Sequence, residues 1–379
     1  MSESQNSEKS PQSDVLLPDP KRLILSASPH IQSANTVPKI MLAVLICLIP
    51  PVAASIYFFG FNAVRILVLT TLFCMAFEWI CCRLAKKTST LGDFSAALTG
   101  VLLALNLPPG VPWWICLIGA FVAIVVAKAI YGGLGQNPFN PAAVARVALL
   151  IGFAGPMTAW VSPCQGFFPD EEKAESAIVR TEDELQETKG PDFTTGATPL
   201  CRAKMAKTPE EIRALQTPEL LHQCFFGRTR GSLGETSALA VLIGGIALIL
   251  LRIISWHIPA AMLGTTLLFT WIVSKADPSL TPGPIFHLCS GGMMLAAFFM
   301  ATDMVTSPNT RRGKLIFGAS IGLIACVIRI WGGYPEGVSF AILIMNALVP
   351  LIDRICYKRP FGWHPSSAAA FTIRRGEVK

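Results

Sequence analysis

Apolar residues fall in long blocks separated by short polar breaks, and about ten blocks approach the roughly 20 residues that a helix needs to cross a bilayer. They run approximately over Ile40–Phe59, Ala63–Cys81, Phe94–Leu107, Trp113–Ile130 and Ala142–Val161. After a long polar interval come Ser237–Ser255, Pro259–Ser274, Phe286–Ala301, Leu315–Ile330 and Gly337–Ile352. The third block is short for a full span and predicts a tilted or broken helix. The pattern predicts an all-α polytopic membrane protein. Composition agrees: of 379 residues, 52% are hydrophobic and only 15% charged, with a mean hydropathy of +0.53, which excludes an ordinary soluble domain. The first 39 residues are polar and hold no apolar stretch flanked by a cleavage site, so no removable signal peptide is expected and the first span itself directs insertion.

Charge distribution gives the blocks a direction, because Lys and Arg accumulate in cytoplasmic loops. With a cytoplasmic start, the inner segments carry Lys21, Arg22 and Lys39, then Arg83, Lys86 and Lys87, then Arg311, Arg312 and Lys314, and finally Arg354, Lys358 and Arg359. The short loops of the opposite side, 60–62, 106–112 and 276–284, are almost free of positive charge. The expected organisation is a cytoplasmic tail (1–39), a membrane half of five spans (40–161), an extracytoplasmic loop (162–236), a second half of five spans (237–353) and a cytoplasmic tail (354–379). In a Gram-negative cell the loop is periplasmic. Its run Pro169–Asp192, "PDEEKAESAIVRTEDELQETKGPD", reads as a solvated acidic insert. The turn-rich "PDFTTGATPLCR", Pro191–Arg202, follows.

Two stretches interrupt the apolar blocks in ways that a plain anchor does not need. "YGGLGQNPFNPAAVAR", Tyr131–Arg146, and "MATDMVTSPNTRRGK", Met300–Lys314, place Gly, Asn and Pro between apolar runs. Irregular backbone at membrane depth survives only where it is buried in protein or lines a cavity, so these are candidate ligand sites; a tight turn without a ligand is the alternative. "LGDFSAAL" (Leu91–Leu98) and "LGETSALA" (Leu233–Ala240) repeat one short pattern, weak support for an internal duplication of the inverted-repeat, transporter-like kind. Ionisable residues in or near spans are costly, which singles out Glu78, Lys128, Arg146, Asp303, Arg329, Glu336 and Asp353. Arg329 and Glu336, facing each other across "IWGGYP", read as an ion pair. The eleven cysteines lie mostly in apolar segments and include no CxxC pair, so no metal or iron–sulfur site is expected.

"SPHIQSANTVPKIM", "LLALNLPPGVPWW", "GGLGQNPFNPAAVARV", "GETSALAVLIGG", "FMATDMVTSPNTRRGK" and "RIWGGYPEGVSFAILIMNALVPLIDR" together resemble the D subunits of the Rnf electron-transport complex, an ion-translocating oxidoreductase, from Ser28 to Arg354. The B subunits of the sodium-translocating NADH:quinone reductase are a related alternative. The resemblance implies a covalent FMN, attached through its phosphate to the last threonine of a motif that reads here Asp192, Phe193, Thr194, Thr195, Gly196, Ala197, Thr198. Thr198 is then the acceptor, and Asp192, Thr195, Gly196 and Ala197 form the segment that a flavin transferase recognises. It also implies that Asn137 and Asn140 hold a noncovalent riboflavin. Its expected partners are subunits A, B, C, E and G of such a complex, the transferase, membrane lipid and Na⁺ or H⁺, with no nucleic acid. The expected activity is electron relay between ferredoxin and NAD, coupled to ion movement across the bacterial inner membrane. A channel or secondary transporter with broken helices is the competing class; it explains the polar turns and gives Asp192–Thr198 no role.

Overall fold

A computed structural model describes residues 35–86, 90–163, 197–206, 209–278 and 280–356. Asp192, Thr194, Thr195 and Gly196, the acidic insert, and most of both tails lie outside these residues, whereas Ala197 and Thr198 lie within them. Met1–Thr36 separates as a unit of its own, and every described helix belongs to the unit Val37–Lys379. Its described residues form helices joined by turns, with no strand among them, as the apolar blocks require.

The first half holds α1 (Val37–Cys47), α2 (Ile49–Phe59), α3 (Phe61–Leu84), α4 (Ser95–Leu105), α5 (Trp113–Phe121), α6 (Pro141–Gly152) and the short α7 (Ala154–Thr158). Three short helices follow: α8 (Pro199–Met205), α9 (Pro209–Ala214) and α10 (Pro218–Phe226). The second half holds α11 (Ala238–Leu250), α12 (His257–Ala276), α13 (Pro284–Cys289), α14 (Met293–Leu295), α15 (Arg311–Trp331) and α16 (Val338–Ile355). α5 continues as a π-helix over Val122–Ala129, and α14 continues as one over Ala296–Met300. Each π segment runs straight into one of the two polar turns singled out above. The wider π turn, common at functional sites, is where each span gives up its regular hydrogen-bond ladder.

Among the described residues, five helical segments are long and apolar enough to cross a membrane: Val37–Phe59, Phe61–Leu84, His257–Ala276, Arg311–Trp331 and Val338–Ile355. Four of the remaining blocks form shorter apolar helices, Ser95–Leu105, Trp113–Ala129, Pro141–Gly152 and Ala238–Leu250. The block predicted over Phe286–Ala301 is broken at Ser290–Gly292. Sequence hydropathy does not distinguish a full span from a short helix followed by buried irregular chain, since both are apolar. α4, at 11 residues, is about 16 Å long and covers roughly half a bilayer.

Large apolar side chains such as Leu72, Trp271, Ile272 and Leu348 point outward from the longer helices, the surface expected where lipid replaces water. Inside, helices close on small residues. Gly318 and Gly322 lie four apart on α15, and a Cβ there would sit 2.6 Å from the Ile258 carbonyl oxygen and 2.5 Å from that of Met262 on α12. This small-residue contact brings the two backbones together in the most extensive helix pair of the unit.

Candidate functional site

A helix that stops at membrane depth leaves its last carbonyls without partners, and lipid offers none. Two short helices meet this requirement with buried arginines. Arg146, from the middle of α6, donates to the carbonyl of Asn106, the residue that closes α4. Arg329, near the end of α15, donates from Nη1 to the His287 carbonyl at 2.7 Å and from Nη2 to the Ser290 carbonyl at 3.2 Å, at the end of α13. A cation at a helix C-terminus is also favoured by the helix dipole.

The charges are balanced locally. Arg146 pairs with Glu336, in the turn between α15 and α16, and lies 3.4 Å from Glu235, just before α11. Glu336 accepts in addition from the backbone N–H of Gly292, in the break between α13 and α14. The expected Arg329–Glu336 pair is therefore replaced: Glu336 bonds Arg146, and Arg329 is spent on carbonyls. Spacing across "IWGGYP" suggested a local pair, but the carboxylate is held by a helix 190 residues away in sequence. Gly291 in the same break has φ +71°, and a Cβ there would collide with Leu200, Glu336 and Arg329, so only glycine fits.

This cluster forms one wall of a small cavity whose other walls include Trp160, Thr198, Leu200, Thr229, Arg230 and Tyr334. Thr198 is buried and caps α8, with Pro199 at the first helical position and Oγ1 accepting from the Cys201 N–H at 3.2 Å. The hydroxyl hydrogen takes no part in that contact. Arg230 donates from Nε to the Ser162 hydroxyl at 2.7 Å, and Lys204 of α8 donates to the Tyr334 carbonyl at 2.8 Å. Burial, and then the neighbouring Arg202, depress the Arg230 guanidinium; burial also lowers the Lys204 ammonium. The surroundings of Thr198 thus present several cations from the chain outside the long helices. The cavity has about 40 Å³, room for a few water-sized groups. That space admits a phosphate but not a three-ring isoalloxazine, which would lie outside it.

A second, larger cleft of about 90 Å³ is lined by α1, α4, both polar turns and the π segment after α14. Both asparagines of the first turn reach it, with different commitments. Asn140 caps α6, its Oδ1 accepting from the N–H groups of Ala142 at 3.0 Å and Ala143 at 3.3 Å, while its Nδ2 donates to the Met300 carbonyl at 3.0 Å. It ties one polar turn to the π segment that precedes the other, and its amide is fully engaged. Asn137 donates from Nδ2 to the Phe139 carbonyl at 3.0 Å, but its buried Oδ1 has no partner among the described residues.

At the edge of this cleft Lys128, 2% exposed, donates to both oxygens of Glu78 at 2.9 Å and to the Ser95 hydroxyl at 2.8 Å. Thr90 adds a bond to Glu78 at 2.6 Å. Lys128, singled out in the sequence for the cost of its charge, is closed inside. Asp303 is a local tie, accepting from Val305 N–H and the Thr306 hydroxyl, whereas Asp353 of α16 holds the second polar turn by accepting from Asn309 N–H.

The match with known proteins agrees with this architecture. A family model described as the NQR2, RnfD, RnfE family matches residues 24–362. The chain belongs to that family. It is 42% identical over 347 residues to the D subunit of the ion-translocating oxidoreductase complex of Vibrio atlanticus, covering 89% of this chain and 99% of that one. The D subunit of the same complex name from Stutzerimonas stutzeri is 42% identical over 351 residues, 91% and 98% of the two chains. The D subunit of a proton-translocating ferredoxin:NAD(+) oxidoreductase complex from Clostridium ljungdahlii is 37% identical over 339 residues, 89% and 96%.

Glu235, Ser95 and Arg230 escaped the sequence reading. A signal for the first two was present: Glu235 is the acid of "LGETSALA" and Ser95 the serine of "LGDFSAAL". The repeated pattern marks where each buried cation finds a partner, Lys128 at the first copy and Arg146 at the second. The second copy also docks on α4, since Leu233 and Gly234 donate backbone N–H bonds to the Leu107 and Leu105 carbonyls at the end of that helix.

Proposed function

We propose that this chain is a membrane subunit of an ion-translocating oxidoreductase complex, and that it carries FMN joined through its phosphate to Thr198. Membership of the family and the names of its relatives support the first part. The observation that carries the second is the placement of Thr198 at the wall of a phosphate-sized cavity bordered by arginines, at the end of the motif Asp192–Thr198. Thr198 supplies the esterified oxygen, Arg230 faces it across the cavity, and Leu200 and Trp160 keep the cavity wall apolar. The flavin supplies one- and two-electron chemistry, while the protein sets its position and its electrostatic surroundings. The cavity leaves the ring system outside, available to the neighbouring subunit of the relay. In this reading the loop 162–236 faces the periplasm, both termini are cytoplasmic, and electrons pass between ferredoxin and NAD through subunits A, B, C, E and G while Na⁺ or H⁺ crosses. A flavin transferase performs the attachment.

Mass spectrometry of the loop peptide from protein co-expressed with a flavin transferase tests this. The peptide containing Thr198 should carry the added FMN mass, and the chain should fluoresce under ultraviolet light in a denaturing gel. Thr198→Val should abolish the band while the protein still inserts. A band that persists would assign the ester to Thr194 or Thr195; an unlabelled wild-type chain would sink the reading.

A second flavin, noncovalent riboflavin, is favoured by one specific observation, the unpartnered Oδ1 of Asn137 in the larger cleft. A buried acceptor without a donor is costly, and the N–H edge of a neutral heteroaromatic ring would satisfy it. Asn140 supports the site indirectly, by fixing the turn. Asn137→Leu should lower acid-extractable riboflavin to below about a tenth of its wild-type ratio to protein, the effect of losing a bond worth roughly 1.5 kcal/mol. Unchanged stoichiometry would refute the site.

A further inference from the structure

Four charges around the Thr198 cavity cancel, because Arg146 and Arg329 are matched by Glu235, Glu336 and helix-end carbonyls. Two cations are left over. Arg230 borders the cavity, half-buried, and among the described residues it bonds from Nε to the neutral Ser162 hydroxyl, while Nη1 and Nη2 have no described partner. Arg202 is exposed on α8, one helical turn after Thr198, and among the described residues it pairs with no carboxylate. Two guanidiniums near Thr198, one partly desolvated and neither paired with a carboxylate among the described residues, call for an anion.

We propose that Arg230 and Arg202 form a clamp for the phosphodiester that joins the flavin to Thr198. This rests on the reading of Thr198 as the FMN acceptor and adds the residues that hold the linkage. A phosphodiester between threonine and the ribityl chain bears one negative charge on two non-bridging oxygens. A guanidinium offers paired donors that suit those oxygens, which an ammonium serves only as a point charge. Arg230 is already aimed by its Nε bond to Ser162, so its free edge is pre-set. The clamp shields the ester and fixes the point from which the ring projects, which sets the electron-transfer distance to the next carrier. Arg230 and Arg202 act here as positioning residues.

The test measures the linkage itself. Full-length protein, matured with a flavin transferase, is treated in detergent with a phosphodiesterase, and release of FMN is followed by fluorescence, with the anisotropy of the attached flavin read in parallel. Arg230→Gln and Arg202→Gln should still carry flavin, release it faster by about tenfold for Arg230→Gln and less for Arg202→Gln, and show lower anisotropy. Arg230→Lys should restore part of the protection. Release at the wild-type rate in both glutamine variants would overturn the clamp. So would a folded Arg230→Gln chain that takes up no flavin, since the arginine would then serve attachment. Should Arg230→Gln fail to fold, the exposed Arg202 carries the test alone. Deleting the acidic run 170–187, the other large source of negative charge in this loop, should leave the release rate unchanged; an acceleration matching that of Arg230→Gln would assign the arginines to those carboxylates. A wild-type chain without flavin would instead refute the reading of Thr198.

Discussion

Arg146→Met should destabilise the protein by about 3–5 kcal/mol, the usual consequence of removing one partner from a buried ion pair. Three groups lose their partner at once. The buried Asn106 carbonyl at the end of α4 loses its donor, and Glu235 and Glu336 lose the cation they share, with Gly292 N–H still donating to Glu336. Methionine fills much of the volume, so the loss is electrostatic rather than a cavity effect. The measurement is the unfolding midpoint in mixed micelles, beside monodispersity by size exclusion. Adding Glu336→Gln to Arg146→Met should recover part of the stability, because one uncompensated charge disappears. Arg146→Met within about 0.5 kcal/mol of wild type would show that the cluster is hydrated and carries little of the fold.

The apolar blocks were legible because lipid-facing and buried helices are both apolar. The interior of the blocks was not. Whether "SAALTGVLLALNLPP" crosses the bilayer or stops half-way depends on Arg146 reaching Asn106 from another helix, and hydropathy holds no trace of that bond. The break at Ser290–Gly292 looks like ordinary small-residue chain until Glu336 and Arg329 are seen to hold it. Intramembrane charge was the better guide: Glu78, Lys128, Arg146, Arg329 and Glu336, singled out for their cost alone, all proved to be buried or paired within the unit. Thr198 was singled out by motif alone. The guanidiniums around it were not, since Arg202 and Arg230 read as ordinary loop cations and become distinctive only when the structure shows that no described carboxylate meets them. Asn137 and Asn140 looked equivalent in "QNPFNP"; capping geometry consumes one and leaves an oxygen of the other free.

Lys128→Met should cost a similar 3–5 kcal/mol by the same unfolding measurement, and here the double variant decides what the pair is for. All three N–H donors of Lys128 are in use, two on Glu78 and one on Ser95, and Thr90 completes the carboxylate. A fully satisfied buried ion pair can contribute little net stability, because desolvation offsets attraction; removing both charges is often neutral or stabilising, whereas removing one strands the other. Lys128→Met with Glu78→Leu should therefore return to within about 1 kcal/mol of wild type, while Glu78→Leu alone strands the ammonium and falls as far as Lys128→Met. If the double variant also assembles and keeps full ion-coupled electron transfer, the pair serves only to dock α3, π-helical Val122–Ala129 and the start of α4 on one another. If it is stable and assembled but electron transfer no longer moves ions, a costly charge pair has been kept at the mouth of the larger cleft for its function. A double variant as unstable as the single ones would contradict the electrostatic account and point to the shape of the lysine stem, packed among buried residues beside Ser95, as what the fold requires.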